Sequence, residues 1–363
     1  MSPWVWYTIC MFDFYRNKRV FVTGHTGFKG SWLCEYLLHL GAEVSGYALA
    51  PATTPALFDQ LGLAARLARH VIGDIRDLNA LADALRAAQP DIIFHLAAQP
   101  LVRESYVSPR ETFDTNVMGT VNVLEAVRNW RAPLRVVCIT TDKVYENDET
   151  GRAFREGDPL GGSDPYSASK GACEIAIQSY RRSFFGSPAS PVWVASARAG
   201  NVIGGGDWAA DRLVPDFMRA WQARTPFIVR NARATRPWQH VLEPLAGYLT
   251  LGATPDFATF STAYNFGPSP AAVKTVGDVT AALCAHFPGA RVENLTDPNA
   301  PHEAKFLSLD STKARTQLGW RSRWDFDTTI RAVADWYRDA VDATAARDLT
   351  RRQILAWEHG SER

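Results

Sequence analysis

The sequence predicts an α/β protein whose core is a doubly wound parallel sheet. Short apolar runs rich in branched residues, which are typical of buried strands, alternate with segments of helical periodicity through the first half of the chain. A glycine-rich turn joins the first strand to the first helix, as in folds of this class that bind dinucleotides. Past Arg198 this alternation gives way to loops with clustered arginines, which indicates a different organisation toward the C-terminus.

The first strand and the first helix flank the glycine-rich turn. Residues 19–23 read Arg-Val-Phe-Val-Thr, a strand, and residues 31–40 have apolar side chains at helical spacing. Glycines at such a turn let the backbone approach a pyrophosphate, which the N-terminus of the helix then stabilises. The spacing here is Gly-x-x-Gly-x-x-Gly. We therefore predict a dinucleotide site at this turn, with contacts from Gly24, Thr26, Gly27, Phe28, Lys29 and Gly30.

Further strands are predicted at residues 43–48, 70–74, 92–96, 135–140 and 193–198, with helical patterns between most of them. The second strand ends Gly46-Tyr-Ala-Leu-Ala50. It lacks the acidic residue that usually holds the ribose 2′-hydroxyl, and it has no arginine for a 2′-phosphate. Asp74, at the end of the third strand, is the better candidate for a contact with the adenine. The missing phosphate clamp favours NAD, although NADP is not excluded.

The most informative stretch runs from Ile139 to Lys170. A buried strand leads into Thr141, and a helix of about five turns is predicted from Tyr166 to about Phe185. Tyr166 and Lys170 are then i and i+4 on one helix face. A phenol titrates near pH ~10, but a nearby ammonium would lower the pKa of Tyr166 and the Thr141 hydroxyl can share its proton. Most tyrosine and lysine pairs at this spacing on a helix have no catalytic role. Here the buried strand and the glycine-rich turn upstream favour a redox site.

A cluster of arginines stands in the C-terminal part, at Arg230, Arg233 and Arg236. The arginine fork matches phosphate oxygens in geometry and charge, so the cluster predicts a clamp for a diphosphate. A solvated basic loop is the alternative that the sequence leaves open. Upstream, residues 201–208 read as a loop and residues 211–215 are predicted to open a helix.

Length and composition exclude several classes of protein. The 363 residues allow one large domain or two lobes with ample core, and a net charge of +1 gives no reason to expect nucleic acid or a membrane surface as partner. The five scattered cysteines contain no Cys-x-x-Cys pair, which disfavours metals and disulfides and fits a reducing compartment such as the cytoplasm. Residues 3–12 are apolar, but they are too short for a membrane span and lack the basic start of a signal peptide. Met11 is a candidate for the native start.

Longer motifs connect these pieces: Gly24-His-Thr-Gly-Phe-Lys-Gly-Ser-Trp32, Ala97-Ala-Gln-Pro-Leu-Val-Arg103, Arg198-Ala-Gly-Asn-Val-Ile-Gly-Gly-Gly-Asp-Trp208 and Arg236-Pro-Trp-Gln-His-Val-Leu-Glu-Pro244. With them, residues 19–337 resemble the extended short-chain dehydrogenase/reductase family of nucleotide-sugar epimerases and dehydratases, and within it the CDP-glucose branch of the 4,6-dehydratases. The resemblance implies a Rossmann domain over residues 11–197 and about 237–264. It also implies a smaller, discontinuous nucleotide-sugar lobe over residues 198–236 and 265–345.

The resemblance also implies roles for individual residues. Thr141, Tyr166 and Lys170 match the family's dehydrogenase triad. Asp142 falls where the 4,6-dehydratases have the acid for water loss, and Lys143 stands where most of them have glutamate. Asp142 must stay protonated, which burial favours and a charged Lys143 opposes, so a neutral Lys143 is a candidate for the base at C5. The remaining cofactor contacts implied are Asp74, Ile75, Leu96, Ala97, Ala98 and Asn116, and the substrate contacts are Gln99, Arg103, Asn201, Arg212, Arg230, Arg236, His302 and Glu303.

The implied reaction is dehydration of CDP-glucose to CDP-4-dehydro-6-deoxyglucose, for deoxysugar or O-antigen biosynthesis. It would proceed by oxidation at C4, loss of water across C5–C6 and return of hydride to C6, so that NAD is recycled in each turnover. Residues 111–130 and 166–185 resemble helices of the family's dimer-forming bundle, which implies a homodimer or homotetramer. Nucleic acid, membrane and metal are not expected as partners.

Other functions remain open on the sequence alone. A 4-epimerase shares the glycines and the Tyr166/Lys170 pair, but it needs no acid for elimination, so Asp142 and Lys143 argue against it. A GDP-mannose dehydratase differs in base recognition, which the sequence does not reveal. A catalytically silent dinucleotide-binding scaffold commonly lacks the tyrosine, the lysine or the hydroxyl of the triad, and all three are present here.

Overall fold

The computed structural model describes residues 13–147, 149–187, 189–268, 273–295 and 306–360. Its strands, in chain order, are β1 Arg19–Thr23, β2 Glu43–Ala48, β3 Arg69–Ile72, β4 Ile92–His95, β5 Leu134–Ile139, β6 Val192–Ala199, β7 Val202–Ile203, β8 Phe227–Val229, β9 Thr235–Pro237, β10 Gln239–His240, β11 Ala263–Phe266, β12 Val273–Thr275 and β13 Val292–Asn294.

The α-helices are α1 Phe28–His39, α2 Leu57–Gln60, α3 Leu78–Ala88, α4 Val102–Val107, α5 Pro109–Phe113, α6 Gly119–Val127, α7 Pro165–Tyr180, α8 Leu213–Gln222, α9 Leu242–Ala253, α10 Val276–His286, α11 Thr312–Gln317, α12 Phe326–Asp339 and α13 Ala343–His359. Short 3₁₀ turns cover Leu63–Ala65 and Asp142–Val144, and π-helical turns cover Asp114–Met118 and Arg181–Phe185.

Seven of the described strands form the main sheet, in the order β11-β6-β5-β4-β1-β2-β3. All its neighbouring strands pair in parallel. Parallel strands need crossover connections, and here most crossovers are helices that cover both faces of the sheet. The strand order reverses between β1 and β4, and ligands bind at such a reversal, outside the carboxyl ends of the strands. The predicted doubly wound parallel sheet is confirmed.

The ends of two predicted helices differ from expectation for local reasons. The first helix begins at Phe28 rather than Ser31, because Gly27 is its N-cap and Gly30 lies inside the first turn. Helix α7, which contains Tyr166 and Lys170, begins at Pro165, where the carboxylate of Asp164 accepts a hydrogen bond of 2.9 Å from the Ser167 N–H. The strand β11 was not predicted.

Two apolar layers, one on each face of the sheet, hold the fold together. On one face Leu81 of α3 and Val123 of α6 are fully buried. On the other face Trp32 of α1, Leu245 of α9 and Trp336 of α12 are fully buried. Burial of each such side chain contributes roughly 1.5 to 3 kcal/mol. These layers fix the carboxyl ends of β1, β4, β5 and β6 relative to one another.

Within the described part of the chain, three two-stranded sheets lie outside the main sheet. β7 pairs with β10, β9 pairs with β12 and β8 pairs with β13. The β9–β12 pair is antiparallel and places Arg236 opposite Lys274. The predicted boundaries of a Rossmann domain and a sugar lobe stay a prediction. Among the described residues, no helix combines the length and the apolar character that crossing a membrane requires.

Glu243 of α9 ties the C-terminal elements to the sheet. Its carboxylate accepts hydrogen bonds from the backbone N–H groups of Arg323 at 3.0 Å and Trp324 at 2.8 Å, and from the indole Nε1 of Trp357 at 2.9 Å. The side chain is fully buried, and burial raises the pKa of Glu243 to about 7 in spite of these donors.

We predict that Glu243 makes the fold less stable as the pH rises. Its folded pKa lies above the ordinary value of 4.5, so its contribution to stability is complete below that value and is lost as the pH rises through about 7. The free energy of unfolding of the natural protein, relative to that of the variant Glu243→Gln, should fall by about 2 to 3 kcal/mol between pH 5 and pH 8. Urea unfolding of both proteins at the two pH values measures this change. A difference that stays constant would contradict it.

Candidate active site

The carboxyl ends of the strands open into a cleft of about 1600 Å³. Its walls come from the glycine-rich turn after β1, the ends of β4, β5 and β6, the start of α7, and the loops and helix α8 within residues 200–236. Pockets for one small molecule measure about 300 to 1000 Å³, so this cleft has room for a dinucleotide together with a second ligand of similar kind.

The glycine-rich turn fits a dinucleotide. Gly24 has a φ of +75°, and a Cβ built on it would lie 2.7 Å from the backbone nitrogen of Ala97. A Cβ on Gly30 would lie 2.1 Å from the carbonyl oxygen of Gly24, so only glycine lets the helix approach the strand this closely. No side chain caps α1 at Gly27, which leaves the first N–H groups of the helix to bind an anion such as a pyrophosphate.

A charged cluster lies at the end of β3, where a contact with the adenine was predicted. Arg76 binds the carboxylate of Asp74, with Nη2 2.6 Å from Oδ2, and this hydrogen bond lowers the pKa of Asp74. Arg76 also lies 3.6 Å from Glu111 and 3.8 Å from Asp114. Three carboxylates therefore surround one guanidinium at the place where the adenine contact was predicted. The sequence did not predict this cluster.

The predicted triad assembles where β5 ends. Thr141 and Asp142 are buried in the loop after the strand, and the Thr141 hydroxyl lies 3.0 Å from Asp142 Oδ1. Helix α7 brings Tyr166, whose pKa the Thr141 hydroxyl lowers, and Lys170, whose Nζ donates to the carbonyl oxygen of Ile139 at 3.3 Å. Lys143, half-buried, completes the group of predicted catalytic residues that line the cleft.

The expected lowering of the pKa of Tyr166 is wrong for the protein alone. Burial raises it to about 12, while the hydrogen bond from Thr141 and the charge of Arg212 lower it only in part. The physical reason is that the phenol is 8% exposed, and a phenolate is costly to form where water is excluded. Additional positive charge in the cleft is therefore needed before Tyr166 can act as a base near neutral pH.

Asp142 is placed as a proton donor. It is 1% exposed, and burial raises its pKa against the lowering influence of Lys143, Thr141, Arg236 and Lys29. Its second oxygen, Oδ2, is buried without a hydrogen-bond partner among the described residues. That oxygen lies above Gly200, where an added Cβ would be 2.9 Å away. A buried carboxyl with few donors favours the neutral form, as the predicted acid requires.

Lys29 belongs to the glycine-rich turn, but its amine lies near groups from other parts of the chain. Its amine lies 6.0 Å from the ring centroid of Tyr248, and burial together with the charge of Arg212 lowers the pKa of Lys29 to about 8. The Asp142 carboxyl is close enough to act on it in the opposite direction. The sequence assigned Lys29 to the cofactor alone; in the structure the charge of its amine also lowers the pKa of Asp142.

The predicted substrate arginines line the outer part of the cleft, but aspartates already bind several of them. Asp211 lies 3.6 Å from Arg103 and 3.2 Å from Arg230, and Asp207 lies 3.3 Å from Arg212. Arg236 is only 5% exposed, donates to the carbonyl oxygen of Thr235 at 2.8 Å and lowers the pKa of Asp142. Arg233 and Asn201 line the same cleft.

Two of the predicted contacts, Gln99 and Asn116, use their side chains in hydrogen bonds within the protein, and their contacts with ligands stay predictions. The amide of Gln99 binds Leu101 and Thr112, and the amide of Asn116 binds the backbone of Gln99 and the hydroxyl of Ser169. Neither residue lines the cleft. The two amides stabilise the loop after β4. Other predicted cofactor contacts line the cleft: Leu96, Ala97, Ala98, Thr26, Phe28, Asp74 and Ile75. His302 and Glu303 lie outside the described residues.

Comparison with known proteins agrees with this geometry. The sequence profile of the GDP-mannose 4,6-dehydratase family matches residues 21–333. The CDP-glucose 4,6-dehydratase of Salmonella typhimurium strain LT2 is 47% identical over 348 residues, which cover 94% of this chain and 96% of that protein.

Solved structures with this fold include enzymes of two reaction types. The dTDP-glucose 4,6-dehydratase DesIV of Streptomyces venezuelae, solved with NAD bound, is 28% identical with a TM-score of 0.73, covering 88% of this chain and 97% of DesIV. The UDP-glucose 4-epimerase of Thermus thermophilus, in complex with NAD, is 27% identical with a TM-score of 0.76, covering 89% of this chain and 100% of the epimerase. The fold alone therefore does not decide between dehydration and epimerisation.

Proposed function

We propose, from the premise that the chain belongs to the GDP-mannose 4,6-dehydratase family, that it dehydrates CDP-glucose to CDP-4-dehydro-6-deoxyglucose. It is a hydro-lyase with NAD as its cofactor. The observation that carries the proposal is Asp142, a buried carboxyl of raised pKa joined by a hydrogen bond to the triad residue Thr141. The 47% identity to a CDP-glucose 4,6-dehydratase supports CDP-glucose as substrate rather than GDP-mannose.

Oxidation has to precede elimination, because the hydrogen on C5 of a hexose is not acidic. A ketone at C4 makes that hydrogen an α-proton. Bound NAD supplies the hydride acceptor for C4, the hydride donor for C6 and a positive charge that lowers the pKa of Tyr166. Tyr166 takes the proton of the 4-hydroxyl, while Thr141 orients the phenol and Lys170 adds positive charge at the same helix face.

Elimination of water uses Asp142, which follows Thr141 in the chain, and a base. Asp142 donates its proton to the 6-hydroxyl, which leaves as water, and a base removes the C5 proton. A 4-epimerase oxidises C4 with the same triad but breaks no C–O bond, so it has no use for a buried carboxylic acid at this position. Asp142 is therefore the residue that favours dehydration over epimerisation.

Mass spectrometry of the reaction with CDP-glucose tests the proposal. The purified protein should yield a product that is lighter by one water, with no net consumption of NAD. An isomer of unchanged mass would identify an epimerase. Stoichiometric formation of reduced cofactor at steady state would identify an ordinary dehydrogenase, and either result would overturn the proposal.

Arg236 gives a test of the substrate side. Arg236→Ala should weaken binding of CDP-glucose by about 10- to 150-fold, the effect of losing about 1.5 to 3 kcal/mol in a charge-assisted contact with a phosphate. Binding of NAD should change little. Calorimetry measures both affinities, and Arg131→Ala, which changes an exposed arginine that does not line the cleft, is the control. Equal losses for the two ligands would show that Arg236 has a structural role.

The base that removes the C5 proton is the least defined residue of the reaction, and the charges of two amines, Lys143 and Lys29, act on the Asp142 carboxyl. We assign it to Lys143, which the turn after β5 holds next to Asp142 in the chain. Lys143→Met should slow the entry of solvent deuterium at C5 of the product far more than Lys29→Met does. Normal exchange in Lys143→Met would leave that residue only a charge-neutralising role, and slow exchange in Lys29→Met alone would move the base to Lys29.

The chain is also proposed to form a homodimer through residues 111–130 and 166–185. Large apolar side chains are exposed there: Ile175 is 57% exposed, Met118 48%, Phe184 48% and Phe113 39%. A surface of this kind favours contact with another protein chain. Light scattering should give at least twice the mass of one chain, and a monomer would contradict the assignment. A homotetramer would require a second interface.

A cytoplasmic location is also proposed, and the state of the cysteines supports it. The described cysteines Cys34, Cys138, Cys173 and Cys284 are all free thiols. Free thiols are usual in a reducing compartment.

A further inference from the structure

We infer that a buried ion pair between Glu174 and Arg198 positions the acid turn, defined as residues 141–144, against helix α7. Helix α7 carries Tyr166, the base for oxidation at C4, and the acid turn carries Asp142, the proton donor for water loss. Glu174 and Arg198 are thereby positioning residues for the elimination step. The inference rests on the proposed function and gives a role to two residues that touch neither substrate nor cofactor.

The ion pair is enclosed by protein and joins helix α7 to the main sheet. Glu174 of α7 and Arg198 of β6 are 4% and 3% exposed, and Arg198 Nη2 lies 2.9 Å from Glu174 Oε2. Burial disfavours the charge of Glu174, but Arg198 and the hydrogen bonds that the carboxylate accepts lower its pKa below the ordinary value. Glu174 is therefore a charged group that only accepts hydrogen bonds.

Both ends of the acid turn are attached to this ion pair. Thr140, the residue before the turn, donates its hydroxyl hydrogen to Glu174 Oε1 at 2.5 Å. Tyr145, the residue after the turn, accepts a hydrogen bond of 2.7 Å from Arg198 Nη1 and donates one of 2.7 Å to Asn265 Oδ1. These bonds therefore determine where the four residues between them lie in the cleft.

The Asp142 carboxyl takes its place from the acid turn itself. The hydrogen bond to its Oδ1 comes from Thr141, which belongs to the same turn, and its Oδ2 has no partner among the described residues. A backbone hydrogen bond of 2.9 Å from the Gly161 N–H to the Val144 carbonyl oxygen also holds the turn. The acid turn should therefore stay folded without a side-chain attachment, but the carboxyl should shift with it.

The two half-reactions depend differently on this placement. Tyr166 and Lys170 are on α7 itself, about two turns and one turn before Glu174, so oxidation keeps its base wherever the acid turn lies. Elimination needs Asp142 within hydrogen-bonding distance of the 6-hydroxyl. A displacement of about 1 Å can cost about 100-fold in rate. Loss of the attachments should therefore slow elimination far more than oxidation, which slows only slightly through Thr141.

Two conservative variants test the attachments. Thr140→Val and Tyr145→Phe keep the size of the side chain and the ion pair, and each removes one hydroxyl. In a single turnover with CDP-glucose, rapid mixing follows the formation of reduced nicotinamide, and rapid quenching with mass spectrometry follows the loss of water. The ratio of the elimination rate to the oxidation rate should fall by about 10-fold in each variant and by about 100-fold in the double variant.

Ser196→Ala is the matched control. Ser196 is fully buried and donates to the same carboxylate, 2.8 Å from Glu174 Oε2, but it belongs to β6 and not to the acid turn. Urea unfolding should show a loss of stability similar to that of Thr140→Val, while the rate ratio stays that of the natural protein. Thr140→Ser, which keeps the hydroxyl, should also keep the natural ratio.

The outcomes separate positioning from general stability and from the proposed function. A ratio that falls in Ser196→Ala as much as in Thr140→Val would overturn the positioning role, and so would equal slowing of both steps or a natural ratio in the two single variants. Dehydration would stand in each of these cases. A natural protein that forms no product lighter by one water would overturn the proposed function, and this inference with it.

Discussion

Replacing Tyr166 with phenylalanine is expected to stop the reaction at its first chemical step. The phenol is the group that receives the 4-hydroxyl proton as hydride leaves C4, and the Thr141 hydroxyl lowers its pKa. Phenylalanine fills the same volume in this buried site but has no oxygen. Because one positioned acid or base typically contributes 10²- to 10⁴-fold, turnover should fall by about 10³-fold or more. Rapid mixing with CDP-glucose should show no absorbance of reduced nicotinamide even within one turnover.

The control for this variant lies on the same helix. Tyr180→Phe removes a phenol that donates to Glu125 at 2.6 Å on the part of α7 away from the cleft, and it should leave the rate of hydride transfer unchanged. Binding of NAD and CDP-glucose by Tyr166→Phe should persist, which shows that the cleft is intact. Formation of reduced cofactor at the normal rate in Tyr166→Phe would contradict the role of Tyr166 as the base.

Replacing Asp142 with asparagine is expected to stop the reaction one step later. Asparagine keeps the shape of the side chain and an oxygen that can accept the hydrogen bond from Thr141, but it has no proton to give. C4 should therefore be oxidised and the 6-hydroxyl retained. Turnover should fall by about 10²- to 10⁴-fold, while reduced nicotinamide builds up and persists. Rapid quenching should recover a 4-keto sugar nucleotide that still contains the elements of water.

The contrast between the two variants is the informative result. Tyr166→Phe should show no reduced cofactor, and Asp142→Asn should show a lasting signal. If Asp142→Asn also formed no reduced cofactor, Asp142 would belong to the oxidation step. If Asp142→Asn turned over normally, another group would be the acid.

The architecture could be predicted from local patterns, because strand periodicity, glycine spacing and helix caps depend on residues that are close together in the sequence. The turn from Gly24 to Gly30 and the step from β5 into Thr141 are of this kind. The assembly of the triad also followed, since parallel strands bring their carboxyl ends to one edge of the sheet. Strand β11 was missed because its four residues have no distinctive pattern or flanking motif.

Pairings between distant residues could not be predicted in the same way. No local pattern indicates that the amide of Asn116 forms hydrogen bonds with the backbone of Gln99. Nor does any local pattern indicate that Asp211 lies between Arg103 and Arg230. The pKa of Tyr166 was expected to fall because the lysine was visible in the sequence and the extent of burial was not. For Lys29 a signal existed: the chain prefers arginine, yet it has a lysine in the middle of the glycine-rich motif.

Labelled substrate gives the most direct test of dehydration through a C4 ketone. With CDP-glucose that contains deuterium at C4, and in ordinary water, the hydrogen that leaves C4 is the one that enters C6. The account predicts a product lighter by one water that retains the deuterium, located at C6. A product of unchanged mass, or a dehydrated product whose deuterium has been lost, would contradict it.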